Sequence, residues 1–339
     1  MNGLPTTSRG NVMALYQALE SYGVNPEAII KEVGIELPEL SDNNRVVTAE
    51  MMDKLLYLAV RSTGDEAFGL RFADFIKPTS YHALGMALLY SPTLRSFCQR
   101  LERYFAMITT LDIVTFTESK QGCYLSTTAA SEYSDITKRC HSDAWSAWIV
   151  NLIRLIYSQN YFPSKVSLFA NSESQQERYQ QLFGDQITFS ASETRIYFEP
   201  KTLDMPLPTS NAELARANDK VVIQFLSQLN EADIAVQVQA KLIEQLPSGQ
   251  CSKENIAEQL HLTERTLHNK LNGAGTSYHK LLLQTRQSLA QEYIKSNEVS
   301  LSEIAYLLGF TSISSFSRAF KQWTGISPRK YQKQVLTEF

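Results

Sequence analysis

Two short stretches near the C-terminal end carry side chains that can read a base pair. The first holds Arg265, Thr266, His268, Asn269 and Lys270, and the second holds Ile313, Ser314, Ser315, Ser317, Arg318 and Lys321. An arginine fork pairs with guanine and an asparagine amide with adenine. Serine and threonine hydroxyls bond base edges or phosphates, and an isoleucine can touch a thymine methyl. Leu267 and Leu271, and Phe316 and Phe320, interleave with these residues at helical spacing, so one face turns to a core and the other carries the chemistry. A helix facing only solvent more often carries Glu–Lys pairs four apart. The second stretch has no acidic residue between Glu303 and Glu338.

Other chemistry is weaker. Arg139-Cys140-His141 suggests a nucleophile, but a reactive thiolate needs a placed base and a lowered pKa, which adjacency does not supply. His82, beside Tyr81, reads as a packing residue. The glycines at 122, 184 and 249 lack phosphate-loop spacing. The cysteines at 98, 123, 140 and 251 form no CxxC, so neither a metal site nor a disulfide framework is expected, and no cofactor is implied.

The elements positioning the two stretches are copies of one another. Ser252-KENIAEQLHLTERTLHNKLNGAGTSYHKLL is followed by Ser302-EIAYLLGFTSISSFSRAFKQWTGISPRKY. Ile256-Ala257, Leu260 and Thr263 match Ile304-Ala305, Leu308 and Thr311 at an offset of 48, and after one insertion Leu267 and Leu271 match Phe316 and Phe320. Each copy reads as helix, tight turn, helix. His261-Leu262 or Gly309 makes the turn, with Thr263 capping one second helix and Thr311 or Ser312 the other. This pattern places its second helix in a DNA major groove. A helical connector from about His279 to Lys295 would hold the two reading helices in successive grooves about 10 bp apart, with Arg286 and Lys295 left to meet phosphates or acidic partners.

Averaged over 339 residues, a net charge of −3 predicts no affinity for nucleic acid. The average misleads. Residues 241–339 carry twelve basic and eight acidic side chains, a net +4, which leaves −7 for residues 1–240. No run approaches the ~20 apolar residues of a membrane span, no secretory signal opens the chain, and a cytoplasmic protein is expected.

The C-terminal motifs carry a family resemblance. Thr263-Glu264-Arg265-Thr266-Leu267, Arg286-x-x-Leu289-Ala290, Ile304-Ala305-x-x-Leu308-Gly309-Phe310 and Phe316-Ser317-Arg318-Ala319-Phe320-Lys321-x-Trp323-x-Gly325-x-Ser327-Pro328 together resemble the DNA-binding domain of AraC/XylS transcription regulators over about residues 236–335. The resemblance implies base reading at Arg265, His268, Asn269, Ile313, Ser314, Ser315 and Arg318. Backbone contacts are expected at Thr266, Lys270, Ser317, Lys321, Arg329 and Lys330. His268 and Asn269 stand where relatives often carry Gln and Arg.

Residues 10–110 show helical periodicity. Alternation at Leu111–Thr117 and Cys123–Thr128, around a turn at Lys120-Gln121-Gly122, predicts a hairpin. Trp145–Tyr157 reads as a buried helix, and short strands are expected at Val166–Phe169, Ile187–Phe189 and Arg195–Phe198. Gly64-Asp65-x-x-Phe68-Gly69-Leu70, Leu84-Gly85, Ser91-Pro92-Thr93-Leu94 and Leu203-x-x-Pro206-Leu207-Pro208 resemble the N-terminal domain of one branch of the same family, that of the ornithine-utilisation regulator.

The expected architecture is an α+β N-terminal domain, helices with a small mixed sheet, followed by an all-α C-terminal domain of two helix-turn-helix modules joined by a linker helix. Residues 1–208 would sense an effector or dimerise, 209–235 would link, and 236–339 would bind DNA. The expected function is sequence-specific transcription regulation, with activation implied by the resemblance. Expected partners are double-stranded promoter DNA, a small-molecule effector of no stated identity, a second copy of the chain and RNA polymerase, with no membrane. The alternatives are a ligand-independent architectural DNA binder and an enzyme with a DNA-binding appendage.

Overall fold

Short polar side chains at Asn25, Thr48, Thr93 and Ser134 start four helices of the N-terminal unit. The computed structural model describes residues 6–35, 47–119, 122–129, 133–169, 175–229, 234–296 and 299–337. It divides into two compact units, Met1–Asn218 and Asp219–Phe339. After β1 (Thr6–Thr7), α1 (Arg9–Glu20) buries Val12, Leu15 and Leu19 along one stripe. Asn25 accepts the Glu27 and Ala28 amides and so starts α2 (Pro26–Glu32) at its proline. β2 (Val47–Thr48) pairs antiparallel with β1, and the Thr48 hydroxyl caps α3 (Ala49–Thr63). Then come α4 (Phe68–Ala73), a 3-10 turn at Pro78–Tyr81, α5 (His82–Leu89) and α6 (Leu94–Tyr104), whose cap is Thr93.

The expected hairpin strands are β3 (Asp112–Ser119) and β4 (Gly122–Ala129), antiparallel in register; Lys120 and Gln121 of their turn lie outside the described residues. Ser134 caps α7 (Asp135–Ile156). β5 (Lys165–Ser167), α8 (Gln176–Phe183), β6 (Ile187–Thr188), β7 (Thr194–Phe198), α9 (Pro200–Leu203) and α10 (Ala212–Leu229) follow. The division between the units falls inside α10. The sheet order is β3-β4-β7-β5-β6, with β5–β6 parallel and the other pairs antiparallel, so the sheet is small and mixed. The helix expected over 145–157 is only the C-terminal half of α7. The other half buries Thr137, Ser142 and Asp143, which hid it from a pattern built on apolar residues. The 8-residue α8 and short α9 also lie outside the sequence expectations.

The scattered landmarks of the N-terminal unit meet in space. Leu207 N donates to Pro92 O at 2.9 Å, Thr93 bridges Pro206, and Arg95 forms an ion pair with Asp204. Asp65 accepts from Tyr22 Oη at 2.5 Å, from Arg178 Nη1 at 2.9 Å and from the Ala67 amide at 3.0 Å. Burial opposes the Asp65 charge, but these donors hold its carboxyl below the usual range. A Cβ on Gly69 would stand 2.2 Å from Cys140 O, so α4 and α7 pack as closely as they do only with glycine there.

In the second unit α11 (Ile234–Gln245), α12 (Lys253–Gln259), α13 (Glu264–Gly273) and α14 (Tyr278–Ser296) precede α15 (Leu301–Leu307), α16 (Ile313–Thr324) and α17 (Pro328–Thr337). They form two small cores. One gathers Val238, Leu242, Ile256, Leu267 and Leu271; the other gathers Leu246, Leu289, Ile294, Ile304, Leu308, Phe316 and Phe320. Cys251 and Leu282 touch both.

Candidate nucleic-acid interface

The repeat is written into the hydrogen bonds. In the first copy Leu262 N donates to Ala257 O at 2.9 Å and His261 N to Glu258 O at 2.9 Å. In the second, Phe310 N donates to Ala305 O and Gly309 N to Tyr306 O, both at 2.9 Å. The turn residue is left-handed in each, with φ 53° at His261 and 69° at Gly309. Thr263 Oγ1 accepts the Thr266 amide and Ser312 Oγ accepts the Ser315 amide, each at 3.2 Å; Ser312, not Thr311, is the second cap. The first helices start at Ser252 and Ser300, again 48 apart, so the second copy begins two residues before Ser302.

The duplication extends further than the paired helices. Ser277 Oγ accepts the Lys280 amide at 3.2 Å and Ser327 Oγ the Lys330 amide at 3.3 Å. α14 and α17 therefore open on the same cap, after Gly275 and Gly325 with φ 71° and 81°. The connector is also the third helix of copy one. His279 and Lys280 thus occupy the positions of Arg329 and Lys330, and all four are exposed. His279 and Lys280 are not among the contacts expected from the sequence, although the repeat pairs Gly275-x-Ser277 with Gly325-x-Ser327 just before them.

On α13, Arg265, Thr266, His268, Asn269 and Lys270 are all exposed, while Leu267 and Leu271 are buried. On α16, Ile313, Ser314, Arg318 and Lys321 are exposed and Ser315 and Ser317 half-buried, over buried Phe316 and Phe320. Aligned by their caps, Arg265, Thr266, His268 and Asn269 correspond to Ser314, Ser315, Ser317 and Arg318. Thr266 Oγ1 lies 2.8 Å from Thr263 Oγ1, and Ser315 Oγ accepts from Ser312 Oγ at 3.0 Å, so these matched hydroxyls also tighten their caps. Asn272 Nδ2 lies 3.1 Å from His268 Nε2, one turn further along the same face, and joins the exposed set.

Arg286 is not free for phosphate. Its Nε donates to Leu308 O at 3.0 Å and its Nη2 to Gly309 O at 3.3 Å, and the guanidinium lies 4.7 Å from the Phe310 ring centre. It clamps α14 to the turn between α15 and α16. The Lys295 side chain and residues 297, 298, 338 and 339 lie outside the description.

The N-terminal candidates separate. Cys140 is fully buried in the core, and burial pushes its thiol well above the ordinary range. His141 points elsewhere: its Nδ1 lies 3.3 Å from Asp112 Oδ1. Burial disfavours the imidazolium, but the Asp112 charge and hydrogen bond raise the His141 pKa overall. His82 is exposed with φ 47° rather than packed. Among the described residues no group of three metal-ligating side chains occurs, and no helix is long and apolar enough to cross a membrane.

Residues 23–207 match the family described as the arabinose-binding domain of AraC transcription regulators, N-terminal part, and residues 256–334 match a helix-turn-helix domain family. The chain is 23% identical to the ornithine utilization regulator of Pseudomonas aeruginosa over 326 residues, covering 94% of each chain. It is 30% identical to the transcriptional regulator VirS of Mycobacterium tuberculosis over 155 residues, 45% of each. The crystal structure of the transcriptional regulator CdpR from Pseudomonas aeruginosa aligns over 94% of this chain and 97% of that one, with 18% identity and a TM-score of 0.48. With its N-terminal match and its duplicated helix-turn-helix modules, the chain belongs to the AraC family of transcription regulators.

Proposed function

We propose that the protein is a cytoplasmic activator. Residues 1–208 bind a small-molecule effector and dimerise, residues 209–235 link, and residues 236–339 engage promoter DNA and meet RNA polymerase. Arg265, His268, Asn269, Ile313, Ser314, Ser315 and Arg318 read bases. Thr266, Lys270, Ser317, Lys321, Arg329 and Lys330 hold the backbone, joined by His279 and Lys280 through the repeat. The effector shifts the N-terminal unit between conformations, and so changes dimer geometry or the freedom of the second unit to engage DNA. The carrying observation is the duplicated set of caps and turn hydrogen bonds, which presents two polar, exposed helix faces in the same way. The buried thiol of Cys140 supports a role without catalysis.

Footprinting of genomic DNA with the full chain, followed by gel shifts on the recovered sites, tests this reading. Arg318→Ala should cost about 1–3 kcal/mol of discrimination at one base pair. Binding indifferent to sequence, or sequence preference unchanged in that variant, overturns the assignment. An architectural binder would hold the same operator affinity across a metabolite panel.

A further inference from the structure

The N-terminal unit holds a cleft of about 540 Å³ between the segment after α4 and the C-terminal half of α7. Its lining includes Ile76, Lys77, Trp148, Asn151, Arg154 and Leu155. That volume falls within the ~300–1,000 Å³ of small-molecule sites. Trp148, Asn151 and Leu155 are spaced along one face of α7. Leu155 is 60% exposed, a large apolar side chain left open on the half of α7 where Ile149, Val150, Leu152, Ile153 and Ile156 are all buried.

Two of the side chains lining the cleft are cations, Lys77 and Arg154. Lys77 Nζ donates to the Asp74 carbonyl, while the Asp74 carboxylate is held by Arg71 at 3.0 Å. Arg154 Nε and Nη2 donate to the carbonyls of Tyr161 at 3.0 Å and Leu182 at 2.7 Å, and burial lowers its pKa. Carbonyl oxygens orient a guanidinium but carry no formal charge. Among the described residues neither Lys77 nor Arg154 has a carboxylate partner, and a partly desolvated cation favours an anion beside it.

We propose that this cleft is the effector site and that its ligand is a small carboxylic acid with an apolar body. The carboxylate is taken by Lys77 and Arg154, and the carbon skeleton lies on Ile76 and Leu155. The inference rests on the effector reading above.

The test titrates the full chain with octanoate and 4-phenylbutyrate, and separately with octanol, octylamine and inorganic phosphate. Melting temperature and tryptophan emission are followed. The two carboxylates should raise the melting temperature saturably, and the other three should not. Lys77→Gln and Leu155→Glu change exposed side chains, so they should fold as the parent does and weaken carboxylate binding about tenfold each. Equal responses to octanol, octylamine or phosphate overturn the ligand class, and carboxylate binding untouched by both variants overturns the location. Operator affinity measured across sugars, nucleosides, amines and acids separates the two readings. If compounds of another class shift operator affinity and acids do not, the cleft assignment falls while the effector reading stands. If octanoate binds the cleft yet no compound moves operator affinity, the effector reading falls and the cleft is a binding site without that role.

Discussion

Two matched turns differ by one residue, and the difference has a measurable cost. His261 and Gly309 both sit at left-handed φ, which a side chain with Cβ adopts at about 1–2 kcal/mol. His261→Gly should therefore stabilise the first module by about 1 kcal/mol, read as a higher urea midpoint for the C-terminal unit. The reverse change is far worse. A Cβ on Gly309 would stand 2.6 Å from Leu246 O, so Gly309→Ala should destabilise by roughly 2–4 kcal/mol and abolish operator binding. Titration adds a second prediction at this scale. Burial raises the Asp143 carboxyl to about 7, only partly offset by the Tyr179 hydroxyl at 2.6 Å, and leaves its Oδ1 without a partner. The native state thus holds a proton that the unfolded chain, with a carboxyl near 4, has lost. Stability should fall as pH rises from about 4 to about 7. His141, also raised, acts with the same sign: its stabilisation is present below 6.5 and is lost as pH climbs through its higher native value. Melting followed by tryptophan fluorescence should show a lower midpoint at pH 8 than at pH 5.5. Asp143→Asn should remove the lower part of the slope and His141→Gln the upper.

At the level of elements, legibility in the sequence followed locality. The caps Thr263 and Ser312, the stripes Ile256–Leu260 and Ile304–Leu308, and the strands of the β3–β4 hairpin all depend on neighbours within a few positions, so pattern reasoning could find them. The first half of α7 could not be found this way. Its buried positions include Thr137, Ser142 and Asp143, and only tertiary partners such as Tyr179 and Thr194 explain the last two. Arg286 misled for the same reason: in sequence it is a cation on a helix face, whereas in space it is a clamp on a turn 22 residues away. The cleft joins residues near 76 to residues near 151, and nothing local ties them. The caps invite a direct test, because both begin helices that carry the base-reading candidates. Thr263→Ala and Ser312→Ala should each cost about 1 kcal/mol of stability. Each should also weaken operator binding at its own half of the footprint, which base-by-base protection would locate. Equal loss at both halves from either change would argue against two independent reading modules.

For the molecule as a whole, the net charge of −3 conceals the split between −7 and +4, and that split decides how salt should act. At pH 8 the acidic N-terminal unit dominates the net charge, so the protein should bind an anion exchanger even though its C-terminal unit binds a polyanion. Association with DNA must then come from a local cationic face rather than from the overall field. Lys270, Lys321, Arg329 and Lys330 are all exposed, and each phosphate they neutralise contributes about 0.9 to the slope of log K against log salt. Alanine at any one of them should lower that slope by about 0.9 and weaken binding to all sequences alike. Lys280→Ala, at the position matching Lys330, should do the same. Arg318→Ala should instead change which sequence is preferred. Neutralising an exposed acid of the N-terminal unit, for example Glu50→Gln, should leave the slope unchanged, because the slope counts the phosphates neutralised by cations. A slope indifferent to all five cation removals would place the backbone contacts elsewhere on the C-terminal unit.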